Sequence, residues 1–364
     1  MAKRYQGGIL GAGFNPLQAP NAPTVGALAI ASGTSVTVAV TPSSNSGGAP
    51  VSNYVVISCP GAINGSSASS PVTVSGLTTG TAYTFRATAL NSYGPSPISA
   101  ASSSITPIVQ GQQAYTTAGT FSWVAPAGVT SVSVVTVGGG ASNSSGGGTA
   151  YGGGGALAYK NNIAVTPGNS YTVVVGAGAS RCTGGANGGN SYFNSTGTVW
   201  AQGGLITGAA TYVGDGGGNG GGIGQGGGGA GGYSGNGGTG GFTNCNSGSS
   251  GSGGGGGGGG ARNGSSCYQG GAGGGVGILG AGSSGAGSSR GIGGGAGSGG
   301  SAGQNGFIQC CTGFGGNGGA YGGGGGAGRC GTYTNQGGAG AGGAVRIIYP
   351  GTTRSFPSTN TGNL

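Results

Sequence analysis

The chain has 364 residues, of which 105 are Gly, 10 are Lys or Arg, one is Asp or Glu and none is His, so its formal net charge is +9. Without His, and with Asp215 as its one acidic side chain, the chain lacks the residues for paired-carboxylate catalysis, Ser-His-Asp triads, Cys-His dyads, His-ligated zinc and carboxylate-bound calcium. We therefore expect no catalytic residue, no metal site and no cofactor.

Residues 1–20 are predicted to be a docking peptide that becomes ordered against a partner protein. An exposed tail has little use for large apolar side chains, yet this segment carries Tyr5, Ile9, Leu10, Phe14 and Leu17. The alternative is a disordered tail. The apolar stretch within residues 1–20 is too short for the h-region of a signal peptide. We therefore expect the chain to stay in the cytoplasm unless another route exports it.

Residues 21–108 are predicted to form short strands with turn signals at regular spacing, because apolar and polar residues alternate at 36–40, 54–57, 71–74 and 83–89. The segment from Gly76 to Gly94 resembles the E–F–G region of a fibronectin type III domain. The resemblance makes Tyr83 the tyrosine corner and Leu77 a core residue. Residues 21–108 lack the Trp that the family carries on its second strand, and Val36 or Val38 stands at that position. The resemblance implies a sandwich that serves as a spacer.

Residues 109–350 are predicted to form a second domain, a β-sandwich with a long glycine-rich insertion at 138–344. Alternation is strong at 131–137, 156–160, 163–165 and 171–175, and a further strand is predicted at 344–349. That closing strand needs a partner, so we expect it to return to the first strands of the domain. Residues 351–364 are expected to be a C-terminal tail, and no segment indicates an α-helix.

The insertion holds most of the glycines and is predicted to be a bundle of polyproline-II helices, which have three residues per turn and no internal hydrogen bonds. Helices packed side by side would need Gly wherever two backbones meet. The eight glycines of 253–260 fit an inner helix, and the triplets at 237–242, 315–320 and 270–275 fit outer helices. A disordered insertion and a glycine-decorated β-solenoid are the alternatives.

Between the glycine tracts lie segments that collect aromatic, Asn, Arg and Cys residues. We expect these tips to face a ligand, because aromatic anchors and adaptable polar groups on a rigid scaffold suit the recognition of sugars or loops. The residues proposed for this role are Phe242, Asn244, Arg262, Tyr268, Phe307, Arg329, Tyr333 and Asn335.

The cysteines and the cations give weaker signals. There are seven Cys and no CxxC pair, so zinc is not favoured, and free thiols and disulfides formed after release both stay open. The ten cations are scattered rather than clustered in sequence, which argues against a nucleic-acid partner and for a weak attraction to anionic surfaces.

The strand at 131–137, the strands at 156–175 and the final segment from Gly342 to Leu364 resemble glycine-rich virion proteins of tailed phages, largely marine or cyanophage-like. The glycine region is similar in style to the tip adhesin of T-even-like long tail fibres, a family that folds such sequence into layered polyproline-II helices. The resemblance implies a virion surface protein, assembled in the host cytoplasm, that acts as a tail-fibre or tip adhesin.

Two other roles stay open, a capsid decoration or head-fibre protein and, in a different class, a bacterial surface filament or matrix protein. The resemblance implies other virion proteins as partners, together with a host surface glycan or outer-membrane protein. A homo-oligomer is possible, although no coiled-coil heptads indicate one.

Overall fold

The computed structural model describes residues 17–143, 151–181, 185–242, 246–261, 270–289, 291–309, 312–328 and 337–358. The chain divides into two compact units, Met1–Gln110 and Gly111–Leu364. In these ranges the regular elements are β-strands, with no α-helix, and none forms a helix that could cross a membrane. The all-β prediction is thus confirmed.

The described residues of the first unit form seven strands: β1 (Thr24–Ser32), β2 (Ser35–Thr41), β3 (Asn53–Cys59), β4 (Asn64–Ser67), β5 (Val72–Ser75), β6 (Thr84–Asn91) and β7 (Gly94–Pro95). They form two antiparallel sheets in the orders β1-β2-β5 and β4-β3-β6-β7. Side chains of β6 alternate between buried and more exposed positions, as expected where one face of a sheet covers a core. Val36, Val38, Val56, Val72 and Phe85 are fully buried in that core.

Tyr83 and Leu77 take the roles that the resemblance implied. The Tyr83 hydroxyl accepts a hydrogen bond from the Thr78 N–H at 3.0 Å, which is the contact of a tyrosine corner. Leu77 lies in the core, 2% exposed. Val36 and Val38, which stand where the resemblance would place Trp, are both fully buried in the core.

Three serines spaced three residues apart line the edge of β6 beyond Leu90 and Asn91, the two residues that pair with β7. Each one donates its backbone N–H to a β6 carbonyl oxygen and accepts the N–H of the same β6 residue on its hydroxyl: Ser96 pairs with Ala89, Ser99 with Ala87 and Ser102 with Phe85. The hydroxyl replaces the carbonyl of a regular strand partner. This edge of the sheet is therefore covered without a regular strand.

The described residues of the second unit form twelve strands: β8 (Gly111–Tyr115), β9 (Gly119–Val124), β10 (Ser131–Val137), β11 (Leu157–Ala164), β12 (Ser170–Val175), β13 (Ser191–Phe193), β14 (Val199–Ala201), β15 (Tyr212–Val213), β16 (Gly216–Gly218), β17 (Phe307–Gln309), β18 (Thr312–Phe314) and β19 (Ala344–Tyr349). Two sheets of five strands have the orders β16-β11-β10-β19-β8 and β15-β14-β13-β12-β9, and β17 pairs with β18 as a hairpin.

Strand β19 returns to the start of its domain, as predicted. It lies between β10 and β8 and pairs antiparallel with both, from Ala344 opposite Val137 to Tyr349 opposite Gly111. Strands β10 and β19 are almost wholly buried. The chain therefore leaves this sheet, builds the glycine tracts and re-enters the sheet beside the strand it left.

The glycine tracts are held by backbone hydrogen bonds with a period of three residues. In 255–261, every third N–H donates to the same neighbouring segment: 255, 258 and 261 to 252, 249 and 246; 256 and 259 to 230 and 227; 257 and 260 to 295 and 292. The segment makes no hydrogen bond within itself and is surrounded by other backbones. This is an ordered bundle, and the disordered alternative is wrong for the described residues.

Three segments form the inside of the bundle: 226–232, 255–261 and 270–276. Each donates backbone hydrogen bonds to three neighbouring segments and accepts them from at least three. The sequence pattern put the start of the inner segment at Gly253, but Gly253 and Gly254 have φ of +52° and +83° and form a turn. It also put 270–275 outside. The segment lies inside, where it is hydrogen-bonded to neighbours on several sides and the Ala272 side chain is fully buried.

One end of the bundle packs on the sheet that contains β10. Val276 and Tyr233 belong to the bundle and share a buried cluster with Val137 of β10, Leu157 of β11 and Ile348 of β19. Phe356, in the segment expected to be a C-terminal tail, is 3% exposed, and its ring stacks on that of Tyr233 with centroids 5.9 Å apart. The bundle and the sheet thus share one core.

Candidate binding surface at the loop end of the glycine bundle

The end of the bundle away from this core is defined by described residues that are hydrogen-bonded to one another, and we call it the loop end. Ala261 donates to Asn246, Gly291 to Ala261, Gly306 to Gly291, Gly270 to Ala327, Ala327 to Gln225, Asn143 to Gly338 and Ser142 to Ala186, all through backbone N–H groups and carbonyl oxygens. Each of the interruptions 144–150, 243–245, 262–269 and 329–336 begins or ends at a residue of this set or at its neighbour in the chain. The described chain is therefore interrupted repeatedly at one end of the bundle.

Three large apolar side chains at the loop end are exposed, and we call the segments that carry them the rim. Phe242, Ile292 and Phe307 are 50%, 47% and 47% exposed. They lie in adjacent segments, because Gly241 bonds to Gly259, Gly260 bonds to Ile292, and Gly291 accepts from Gly306. Exposed apolar groups in neighbouring segments make this end a candidate for contact with another molecule.

An arginine and two phenylalanines form a cluster beside this rim. The rings of Phe307 and Phe314 stack with centroids 5.3 Å apart, and the Arg181 guanidinium carbon lies 5.6 Å from the centre of the Phe314 ring. Arg181 also donates from Nε and Nη2 to Asn317 Oδ1, at 3.2 and 3.0 Å. The guanidinium is therefore held in place, and its contacts with described residues use two of its five N–H donors.

Buried amide groups lie under the loop end. Asn143 is fully buried and donates from Nδ2 to the carbonyl oxygens of Gly224 and Gly325, each at 3.4 Å. In the described part of the chain, neither its Oδ1 nor the Oε1 of Gln225 receives a hydrogen bond. A buried acceptor is costly to leave unpaired, so a hydrogen-bond donor at either oxygen would be stabilising.

The family of glycine-rich domains matches residues 116–350. The chain belongs to the glycine-rich domain family. The fibronectin type III domain family matches residues 21–105, which is the sandwich of the first unit. A comparison with curated protein sequences found no match.

Two solved structures are similar to part of the chain. One is a crystal structure of titin domains A168-A170, with 26% identity, covering 25% of this chain and 32% of that one at a TM-score of 0.22. The other contains the titin kinase and its flanking domains, with 18% identity, covering 44% of this chain and 30% of that one at a TM-score of 0.23. The chain covers less than a third of either structure, and at these TM-scores neither bears on its function.

The glycine-rich domain places two of the proposed tip residues at the loop end, Phe242 and Phe307. The others, Asn244, Arg262, Tyr268, Arg329, Tyr333 and Asn335, lie outside the described residues. Of the proposed docking residues, Leu17 is 64% exposed, and Tyr5, Ile9, Leu10 and Phe14 lie outside the described residues. What these residues contact stays a prediction.

The sequence did not identify Arg181, Ile292, Phe314 and Asn317 as parts of the surface. Arg181 is far from the hairpin of β17 and β18 in sequence, and only the register of the bundle brings them together. A signal did exist, since Arg181 and Phe314 each stand next to a break in the glycine pattern, as the proposed tips do.

Charged side chains near the sheets of the glycine-rich domain have polar partners. Lys160 Nζ lies 3.8 Å from Asp215 Oδ1 beside β11. Arg346 on β19 is 1% exposed and donates to the Ile278 carbonyl oxygen at 3.1 Å and to Gln112. Burial lowers the pKa of Arg346, and the nearby Arg354 lowers it further.

The described residues contain no group of three His, Cys, Asp or Glu side chains that could hold a metal ion. Cys59, at the end of β3, is exposed and free. The other cysteines, Cys182, Cys245, Cys267, Cys310, Cys311 and Cys330, lie outside the described residues.

Proposed function

We propose that the chain is a non-enzymatic virion surface protein of a tailed phage whose glycine-rich domain displays binding loops to the host cell surface. The observation that supports this role is the loop end, where successive interruptions emerge beside exposed Phe242, Ile292 and Phe307. Binding residues are commonly carried by loops on a rigid scaffold. A backbone-packed bundle is such a scaffold, because it leaves little room for the segments beneath the loops to move.

In this proposal the parts of the chain have separate tasks. Residues 1–20 attach the protein to the particle, the fibronectin type III domain is a spacer, and the glycine-rich domain contacts a host surface glycan or outer-membrane protein. The protein is assembled in the host cytoplasm and acts at the virion surface. The composition supports a binding role over catalysis, since the sequence contains no His and one acidic side chain.

We further propose that the glycine segments are polyproline-II helices. The supporting observation is the hydrogen-bond period of three in 255–261, which equals the number of residues per turn of that helix. In NMR of the full chain, couplings and chemical shifts should give the polyproline-II angles, φ of about −75° and ψ of about +145°, throughout this segment. Extended dihedral angles typical of β-strands would contradict the assignment and support a solenoid.

The location is tested on virions of the phage that carries this chain. Gold-labelled antibody against the purified chain should bind at the tail fibres or their tips. Label confined to the capsid would replace the adhesin with a decoration role, and label found only in filaments outside virions would overturn the proposal.

The binding role is tested with purified full-length chain on host cells. Changing Phe242 and Phe307 together to Ser should lower cell binding by about tenfold or more, because hot-spot aromatic residues carry most of the binding energy. The matched control changes Val124 and Val213 to Ser, which are exposed apolar residues of the same unit. Equal binding by both variants would contradict a receptor-binding loop end.

A further inference from the structure

The five-stranded sheet that contains β12, β13 and β14 has one face in the core and one face turned outward. Val173, Phe193 and Val199, one on each of these strands, are fully buried. Successive side chains of a strand point to opposite faces of its sheet. The residues that alternate with these three therefore lie on the other face, which we call the outer face.

Two aromatic residues stand side by side on the outer face. Tyr192 of β13 pairs directly with Trp200 of β14. Val174 of β12 pairs with Tyr192 on one side and with Thr120 of β9 on the other. Directly opposed Cβ atoms are about 5 Å apart. Thr120 is exposed and the other three residues are partly exposed, so four strands contribute one row of side chains, which we call the aromatic row.

Uncharged polar side chains flank the aromatic row. Ser122 and Thr172 lie opposite each other on one side of it. On the other side, Asn190 and Gln202 stand two residues from the rings along the chain. Asn190 Oδ1 accepts the Gly203 N–H at 2.9 Å, which orients its amide group. Hydroxyl and amide groups both donate and accept hydrogen bonds, so the flanks suit a ligand that does the same.

The indole of Trp200 has an unused hydrogen-bond donor. Its Nε1 is buried and has no partner among the residues that the structure describes. A buried donor is costly to leave unpaired, so an acceptor brought to this atom would be stabilising. Tyr and Trp side chains combine an apolar body with a polar tip, which suits a ligand that carries both apolar faces and hydroxyl groups.

The aromatic row and its flanks contain no charged side chain, although the chain has a net charge of +9. An anionic ligand would find no cation to pair with on this surface, and a cationic ligand would find no carboxylate. Charge complementarity therefore favours an uncharged ligand.

The size of the surface favours a narrow ligand. Neighbouring strands are about 4.8 Å apart and same-face residues about 7 Å apart along a strand, so the aromatic row and its flanks cover roughly 300 Å². A stable protein complex needs about 800 Å² from each partner. Extended peptides bind at open strand edges or in aromatic-lined grooves, and a sheet face is neither. A single uncharged polysaccharide chain fits these limits.

We propose that the outer face binds an uncharged polysaccharide, with the C–H faces of its sugar rings on Tyr192 and Trp200 and its hydroxyl groups on the flanking side chains. Burial of apolar C–H surface supplies the free energy, and the flanking hydrogen bonds orient the sugars. The site is separate from the loop end and does not depend on the role proposed for that end.

Affinity electrophoresis of the purified full chain tests the inference with three uncharged glucans: hydroxyethyl cellulose, laminarin and dextran. One variant changes Tyr192 and Trp200 to Thr, a β-branched residue that suits a strand. Its matched control changes Tyr93 and Val124 to Thr, an exposed aromatic and an exposed apolar residue outside this surface. Thermal unfolding checks that both variants are folded.

At least one glucan should retard the unchanged chain. The outer-face variant should lose about tenfold or more in affinity, and the control no more than about twofold. Raising the salt from about 50 to about 500 mM should change the affinity by less than about twofold, because the site has no ion pairs to screen. Retardation by none of the three glucans, or equal losses in both variants, would overturn the inference.

Trp fluorescence tests the site without any substitution. Trp123 is 6% exposed, so quenching by acrylamide reports mainly on Trp200. A saturating glucan on the outer face should cover Trp200 and reduce the quenching of the unchanged chain. Quenching that stays the same when the glucan is bound would place the sugar elsewhere and overturn the inference.

Two further outcomes would assign the surface or the sugar differently. A dimer of the unchanged chain in sedimentation velocity, with a monomer for the outer-face variant, would give the outer face to a second copy of the chain. Glucan binding that is lost on changing Phe242 and Phe307 and kept in the outer-face variant would place the sugar at the loop end. Either result overturns the inference, whereas normal cell binding by the outer-face variant leaves the proposed function standing.

Discussion

The glycines inside the bundle are required by contacts between backbones rather than by unusual dihedral angles. Gly257 is an example, because a Cβ built on it would overlap the carbonyl group of Ala286. At Gly256 the same atom would overlap Gly274, and at Gly259 it would overlap Gly271. Each obstacle is backbone, which cannot rotate away as a flexible side chain does.

Changing Gly257 to Ala should therefore destabilise the second unit by about 3 kcal/mol or more, since overpacking against fixed atoms forces the backbone to shift. Gly208→Ala is the matched control, because nothing lies within 4 Å of the position that a methyl group would take there and its φ is not positive. The control should be neutral or gain up to about 1 kcal/mol. Thermal unfolding compares the two, and equal melting temperatures would contradict backbone packing at Gly257.

Tyr233 makes the stability of the second unit sensitive to alkaline pH. Burial raises the pKa of its hydroxyl above the usual 10.0, against smaller opposing effects from the Gly280 N–H and Arg346. The unfolded chain loses this proton above its usual pKa while the folded chain keeps it. The contribution of Tyr233 to the free energy of unfolding is therefore constant below about pH 10. Above that pH it declines by about 1.4 kcal/mol per pH unit.

Urea unfolding of the full chain from about pH 8 to about pH 11 measures this slope. Tyr233→Phe removes the titrating group, so the alkaline slope should become shallower by about one proton. The same variant should lose about 1–2 kcal/mol at neutral pH, because it leaves the Gly280 N–H, now 3.1 Å from the hydroxyl, without its partner. An unchanged slope would show that Tyr233 is not the group responsible.

At the scale of elements, the serine-lined edge of the fibronectin type III domain is a testable substitute for a strand. Ser99 accepts the Ala87 N–H on its hydroxyl at 2.9 Å, and both residues are buried. Ser99→Ala should therefore lower the free energy of unfolding of the first unit by about 1–3 kcal/mol. The exposed Ser104 serves as the control for the same substitution in calorimetry, and a similar effect at both sites would contradict the pairing.

The sequence predicted the strands of both units best where alternation and burial agree. The return of β19 to β10 was predicted because an apolar strand at the end of the domain needs a partner strand. The role of Tyr83 was predicted from the residues around it. The short strands β13 to β16 were not predicted, because two or three residues are too few to show an alternating pattern. Their strand conformation depends on the strands they pair with. The position of 270–276 inside the bundle was missed for a similar reason, since Gly-Gly-Ala triplets fit both environments.

At the scale of the whole molecule, the sequence predicted tips between glycine tracts but could not say that they meet. Bringing Arg181 to Phe314 requires the register of the bundle, and that register is set by contacts among many tracts of nearly identical sequence. Composition carries no information about which glycine tract neighbours which. The candidate surface was thus predictable in its residue types and not in its arrangement.

The shared core predicts that the bundle and the sheets of the second unit unfold together. The two Trp residues, Trp123 and Trp200, both lie in the sheet that contains β9 and β14, so Trp fluorescence reports on that sheet and not on the bundle. Val276 belongs to the bundle and is fully buried in the common cluster. Val276→Ala should cost about 2 kcal/mol through lost apolar contacts, and the fluorescence midpoint in urea should fall accordingly.

The matched control is Val72→Ala, which removes the same groups from a fully buried position in the core of the fibronectin type III domain. It should lower the unfolding temperature of the first unit in calorimetry and leave the Trp midpoint unchanged, because that unit contains no Trp. If Val276→Ala speeds amide exchange in the glycine segments while the Trp midpoint stays fixed, the bundle unfolds by itself. The bundle would then be a separately stable insertion, and its loop end could move relative to the sheets that carry it.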